Sequence, residues 1–187
     1  MSRRVVITGQ GAFCALGQTA DAVISAMMNG ECAIGRLEIP DVDRLSVQIG
    51  AQIKDYDPAA TFTRSEIALY DPFTQYALIA AQEAVMQSGL EVSDQLALQT
   101  GVVLGSAGGG LQTQDQSYKA VYEVGKNRVH PFVVPRLMIN AASSHVSMAH
   151  GAKGPCFTVA TACASSNHAM GQAFQMVRSG MAKVMLT

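Results

Sequence analysis

Four cysteines and four histidines are the residues of this chain best suited to nucleophilic, acid–base or metal chemistry. Cys14, Cys32, Cys156 and Cys163 form no CxxC pair and no metal-ligand spacing. His130, His145, His150 and His168 are scattered, without HExxH or another ligand pattern. No metal site is therefore expected, and each histidine reads as structural or surface. A disulfide framework does not suit a chain this long and apolar, so reduced thiols in a cytoplasmic setting are expected. Cys163 stands apart from the other thiols. Before it, Phe157 to Ala160 is a short apolar and β-branched run after the Gly154-Pro155 break, a strand signal. After it, Met170, Phe174, Val177 and Met181 recur at spacings of four, three and four, one face of a helix that stops near Gly180. Cys163 is thus expected at or just before the first turn of that helix. The first turn leaves backbone N–H groups unpaired and carries partial positive charge. Such a site stabilises a thiolate, and the same N–H groups can cradle an oxyanion. The layout is a nucleophile elbow with sulfur in place of the serine oxygen. The plainer alternative is a small residue packed where a strand meets a helix.

The elements around this joint read as follows. Arg4 to Thr8 is a β-branched run expected as a first, central strand, followed by Gly9-Gln10-Gly11 and a helix over Thr19–Met28. The glycine turn does not complete GxGxxG, because Cys14 stands in the way, so dinucleotide binding is not expected. Residues 30 to 60 are loop-rich, with an alternating strand over Ser46–Ile53. Asp71 caps a helix with Pro72 at its first position; its stripe is Phe73, Ala77, Ala80 and Ala84, and it ends at Ser88-Gly89. So many alanines predict a close, buried helix contact. Thr100–Leu104 is a second buried strand, followed by Gly105-Ser106-Ala107-Gly108-Gly109-Gly110. No Gly-Lys-Ser/Thr closes that run, so it is not a P-loop; close backbone approach is the better reading. Helices are expected over Gln112–Val124 and Leu137–His150, and a last strand over Lys183–Thr187. Strands alternating with helices predict an α/β fold: a mainly parallel sheet covered by helices on both faces.

The 187 residues suffice for one sizeable core, and no linker or internal repeat divides them, so 1–187 reads as one domain. Charged residues are 14% of the chain, against about 25% in an average domain. So few charges predict a surface largely covered by another domain or partner. A net charge of -1 gives no electrostatic case for nucleic acid or an anionic membrane. No stretch approaches the ~18 uninterrupted apolar residues of a membrane span. Arg3-Arg4 does not open a signal peptide, because Gly9, Gln10 and Gly11 break the apolar run too early.

Thr161-Ala162-Cys163-Ala164-Ser165, with Gly151-Ala152-Lys153-Gly154-Pro155 before it and His168, Ala169 and Gly171 after it, resembles the nucleophile region of the elongating β-ketoacyl-[acyl-carrier-protein] synthases. Three further segments match that family in order: Val5–Gly11, Asp71–Ala77 and Gly101–Ser106. The resemblance spans essentially the whole chain. It implies the N-terminal half of a thiolase-like fold, in which two similar α/β halves are related by a pseudo-dyad. It implies that Cys163 carries the growing acyl group and that its backbone N–H is one oxyanion donor. Substrates would arrive on the phosphopantetheine of acyl carrier protein, with no other cofactor, and the protein would be a homodimer joined at the sheet edge. The family's two catalytic histidines, its lysine and its second oxyanion donor match no residue here and belong to the other half; these residues alone are expected to be inactive in condensation. Gly108, Phe132 and Val133 fall where the family lines its acyl pocket. Gly108 replaces a common bulky aliphatic residue, and Val133 a common aromatic, so an enlarged pocket is expected. Two other readings remain open: a non-catalytic partner like the chain-length factors, which usually lack the cysteine, and a thiolase acting on acetoacetyl-CoA, which also uses a cysteine. Cys163 favours an enzyme, and the Val5–Gly11 and Asp71–Ala77 segments favour the synthase.

Overall fold

A computed structural model describes residues 3–187. The first helix, α1 (Ala20–Met28), is capped by the Thr19 side chain, which accepts from the Ala22 N–H. Strands β1 (Ile34–Arg36) and β2 (Ile49–Ala51) pair antiparallel as a small ribbon. Helix α2 (Arg64–Leu69) opens on a capping box, Thr63 with Glu66. Helix α3 (Pro72–Ser88) opens on Asp71 and closes on Gly89 in the left-handed conformation, as its sequence predicts. Then come α4 (Asp94–Ala97), β3 (Thr100–Gly105) and α5 (Leu111–Tyr118), which runs into a π-helical turn over Lys119–Glu123. The chain continues through α6 (Val133–Leu137), α7 (Ala141–Ala149), β4 (Cys156–Val159), α8 (Ser165–Ser179) and β5 (Val184–Leu186).

The last three strands make one parallel sheet in the order β4-β3-β5. Its centre, β3, reads TGVVLG, a strand apolar on both faces, and Val102 and Val103 are fully buried. Val102 packs with Leu78 of α3, Val146 of α7 and Ala152, with Leu104 and Leu186 at the rim. Burying side chains of this size is worth about 1.5–3 kcal/mol each. On the other face, Gly105 lies against the start of α8. The expected parallel sheet with helices on both faces is therefore present. The antiparallel pairing is confined to the separate ribbon.

Several elements differ from expectation. Arg4–Thr8 is not a strand, and Val6 and Ile7 are 58% and 89% exposed. A strand needs a neighbouring backbone edge to pair with, and among the described residues no backbone hydrogen bond forms along this run. The following segment is instead held by helix side chains, with Gln10 N–H donating to Gln87 Oε1 and Ala12 N–H to Glu83 Oε2. The strand expected over Ser46–Ile53 shrinks to Ile49–Ala51, because β1 offers only three paired residues. The helix expected from Gln112 to Val124 starts at Leu111 and changes to π geometry at Lys119. The helix expected over Leu137–His150 is broken between α6 and α7. The Leu137 carbonyl, which a continuous helix would pair with the Ala141 N–H, accepts from Gly110 N–H at 3.1 Å; Ala141 N–H turns to the Met138 carbonyl. The alanine stripe of α3 is only half-buried; its fully covered residues are Thr74, Gln75 and Leu78. On α8 the small residues Ser165, Ala169 and Ala173 are buried, while the apolar stripe of Met170 and Phe174 is turned outward.

Candidate active site

Strand β4 delivers the chain to a tight turn, Ala160 to Ala164, and α8 leaves it. Cys163 lies one residue before the helix cap Ala164 and is exposed. The turn is sharp enough to force Ala162 to φ 49°, left-handed for a residue with a Cβ; such a conformation costs about 1–2 kcal/mol. Ser165 holds it there. Its buried hydroxyl donates to the Ala162 carbonyl at 2.6 Å and accepts from the Thr161 N–H at 2.9 Å. The backbone adds Ala164 N–H to the Thr161 carbonyl and Ser165 N–H to the Ala162 carbonyl. Among the described residues, the N–H groups of Cys163, Ser166 and Asn167 find no protein acceptor. A thiol thus sits beside three free donors at the positive end of a fifteen-residue helix. The arrangement suits attack on a carbonyl carbon whose oxygen becomes anionic.

Three neighbours fix this elbow. Strand β4 is tied to α7 by a 2.9 Å hydrogen bond between the hydroxyls of Ser143 and Thr158. Ser106 N–H donates to the Val159 carbonyl at 3.1 Å. Gly105 must be glycine, since a Cβ there would fall 2.3 Å from the Ser165 carbonyl carbon. The glycine loop after β3 therefore approaches backbone closely, as expected, and the backbone it meets is the first turn of α8. Its far end presses on the segment between α6 and α7: a Cβ on Gly110 would meet the Arg136 carbonyl oxygen at 2.4 Å.

The structure places the remaining sequence candidates less tightly. Gly108 is exposed in the glycine loop, Phe132 is 50% exposed, and Val133 is half-covered at the start of α6. Contacts of Gly109 and Gly110 with Arg136–Ile139 bring the loop and the α6 segment together. A cleft of about 410 Å³ opens beside α8, lined by Phe73, Ala77, Ser106, Ser166, Ala169 and Met170. A second, polar cleft of about 420 Å³ lies by Glu38, Lys54, Tyr56 and Tyr76. Neither is lined by Cys163, Gly108, Phe132 or Val133. No imidazole is hydrogen-bonded to Cys163 among the described residues. His145 packs edge-on against Tyr70 with ring centroids 4.6 Å apart, and burial pushes both it and His150 below the ordinary imidazole value. His130 accepts from the Phe132 N–H through Nδ1. Among the described residues, no three His, Cys, Asp or Glu side chains gather as metal ligands, and no helix is long and apolar enough to cross a membrane.

Two residues matter here beyond what their sequence positions disclose. Ser165 is visible only as part of the motif, yet it clamps the turn. Asp71 is legible as the cap of α3, accepting from Phe73 N–H through Oδ1. Its other oxygen accepts from both Thr113 N–H and Thr113 Oγ1, which no local pattern signals.

Comparison with known proteins places this geometry. Residues 2–187 match the family model "Beta-ketoacyl synthase, N-terminal domain". Nodulation protein E of Rhizobium sp. (strain N33) is 39% identical over 186 residues, covering 100% of this chain and 46% of that protein. The 3-oxoacyl-[acyl-carrier-protein] synthase 2 of Staphylococcus aureus (strain N315) is 36% identical, covering 100% of this chain and 45% of that protein. The chain thus spans about half the length of the curated relatives it matches. A β-ketoacyl synthase crystal structure from Burkholderia phymatum STM815 superposes with a TM-score of 0.81 at 26% identity, over 99% of this chain and 46% of that one. A type II polyketide ketosynthase, solved with its acyl-carrier protein and bound to a hexaketide, gives 0.80 at 23% identity over 98% of this chain and 49% of that one. The fold is that of the thiolase-like ketosynthases, and by its family match the chain belongs to the β-ketoacyl synthase family.

Proposed function

We propose that this chain is the nucleophile-bearing part of a β-ketoacyl-[acyl-carrier-protein] synthase, with Cys163 as the acyl acceptor. The observation that carries this reading is the elbow itself: an exposed thiol beside free N–H groups at the start of α8, held by Ser165. In the transfer step the Cys163 sulfur attacks the thioester carbonyl of an acyl group on phosphopantetheine. A new C–S bond forms, the carbonyl oxygen gathers charge against the N–H of Cys163, the C–S bond to the carrier breaks, and the carrier sulfur leaves as its thiol with the proton given up by the Cys163 thiol. Decarboxylation of a malonyl thioester then releases CO2 and leaves a carbanion equivalent. The carbanion attacks the Cys163 thioester, and the thiolate is expelled as the β-ketoacyl product forms. The second and third steps need donors for the developing charge, each worth ~3–4 kcal/mol. Among the described residues no histidine or lysine side chain hydrogen-bonds to Cys163, so residues 1–187 alone complete the acyl transfer at most. Gly108, Phe132 and Val133 form one wall of the acyl pocket, acyl carrier protein is the partner that delivers substrate, and the working protein is a cytoplasmic homodimer. The solved ketosynthase complex with its acyl-carrier protein supports the choice of carrier.

The test is to incubate the protein, and separately residues 1–187, with acyl- and malonyl-carrier protein, and follow CO2 and β-ketoacyl product by mass spectrometry. The expected result is acyl mass on Cys163 in wild type, none in Cys163→Ala, and no condensation by residues 1–187. Product from residues 1–187 at the rate of the whole protein overturns the assignment of the missing donors, and acylation of Cys163→Ala overturns the nucleophile.

A further inference from the structure

Asp71 is a buried carboxylate, 1% exposed, and among the described residues no cation pairs with it. A carboxyl group so placed is costly unless its oxygens are satisfied. Asp71 satisfies them at two helix ends at once. Oδ1 accepts from the N–H of Phe73, the second residue of α3, at 3.3 Å. Oδ2 accepts from the N–H of Thr113, the third residue of α5, at 2.8 Å, and from Thr113 Oγ1 at 2.7 Å. Two positive helix ends converge on one carboxylate and stand in for a counter-ion. Helix α5 has no cap of its own, because its cap position is Gly110, which has no side chain. The start of α5 is therefore held from α3, across the fold.

That hold reaches the glycine loop. The loop is pinned at its first end, where Gly105 lies on Ser165–Ser166 and Ser106 bonds to Val159. It is pinned at its other end by the Gly110 bond to Leu137 and by Asp71 through Thr113. Between the two pins, Ala107 and Gly108 are exposed. The span that carries Gly108, and the α6 segment pressed against it, thus takes its position from the nucleophile helix on one side and from Asp71 on the other.

We propose that Asp71 is a positioning residue: its bonds to Thr113 set the glycine loop against α6, and through them which acyl chain lengths Cys163 accepts. This rests on the reading of Cys163 as acyl acceptor and of Gly108, Phe132 and Val133 as pocket wall. The side chain touches neither substrate nor sulfur, so its signature is a chain-length effect rather than a uniform loss.

The experiment measures acylation of Cys163 in the whole protein, by mass spectrometry, with butyryl- and tetradecanoyl-carrier protein as donors. Wild type is compared with Asp71→Asn, Thr113→Val and Thr113→Ser, each with its Tm. Thr113→Val removes the hydroxyl donor and keeps the N–H, so it decides the matter if Asp71→Asn fails to fold. A hydrogen bond to a charged acceptor is worth about one tenfold step in an equilibrium. The expected result is a KM for the tetradecanoyl donor raised about tenfold in Thr113→Val, with kcat and the butyryl KM within about twofold of wild type. Thr113→Ser is expected to restore the wild-type ratio. An equal change for both donors, or none for either, in a folded Thr113→Val overturns the proposal. Wild-type acylation at a residue other than Cys163 overturns the underlying reading as well; acylation at Cys163 with a flat chain-length response overturns the role of Asp71 alone.

Discussion

Replacing Ser165 by alanine removes one hydroxyl and leaves the nucleophile untouched. The hydroxyl is 4% exposed and makes two bonds, to the Ala162 carbonyl and from the Thr161 N–H. Losing them costs about 0.5–1.5 kcal/mol each, and more where the abandoned group stays dry. The sum, about 1–3 kcal/mol, is comparable with the ~1–2 kcal/mol by which Ala162 resists its left-handed φ. Without the clamp, the turn relaxes toward ordinary backbone, and Cys163 spends less time beside the free N–H groups of α8. A shift of about 1.4 kcal/mol lowers the occupied fraction tenfold. Acylation of Cys163 in Ser165→Ala is therefore expected to slow about tenfold, with Tm lowered by a few degrees. The assay follows acyl mass on Cys163 against time in the whole protein, with Tm measured alongside. A second replacement, Ala162→Gly, relieves the strain while keeping Ser165 and is expected to leave the rate near wild type. Acylation at the wild-type rate in Ser165→Ala, with Tm unchanged, refutes the clamp.

Further outcomes are expected elsewhere. Cys163, beside the free donors of α8, is alkylated by iodoacetamide faster than Cys14, Cys32 and Cys156 in the folded whole protein; peptide mapping that finds equal rates at all four removes the case for an activated thiol. Burial holds His145 and His150 below the ordinary value of 6.5, so near that pH the unfolded chain binds protons that the folded chain refuses. Their contribution to stability is thus full above pH 6.5 and falls as pH drops through it; Tm is expected to decline on acidification, less so in His145→Phe, and a Tm that rises contradicts the sign. The proposed homodimer is expected to sediment as a dimer at micromolar concentration, and a monomer alone in analytical ultracentrifugation counts against it.

Much of this architecture was legible from the chain because the relevant signals are local. Thr19, Asp71, Gly89 and Gly180 mark helix ends by capping chemistry that needs no distant partner. The apolar run of β3 reads as a buried strand because it packs on both faces, and the runs of β4 and β5 read as strands by the same composition although they lie half-buried at the two edges of the sheet. The change of periodicity across Cys163 marks the helix start. What could not be read depends on residues far apart. Arg4–Thr8 has strand composition but pairs with no strand among the described residues. The break after Leu137 arises because Gly110 takes a carbonyl that the helix would have used. The second oxygen of Asp71 and the clamp of Ser165 are tertiary facts, written in no spacing. Gly108, Phe132 and Val133 came from resemblance, and the geometry joins their two segments to each other more closely than to Cys163.

The diverted Leu137 carbonyl also ties two stretches of chain into one cooperative unit. A hydrogen bond that would have stayed inside a helix instead spans the gap between the glycine loop and α6. The two stretches are then expected to open together. Amide hydrogen exchange at Gly110 should report the freedom of both together, at a rate set by a smaller opening than the one that exposes β3.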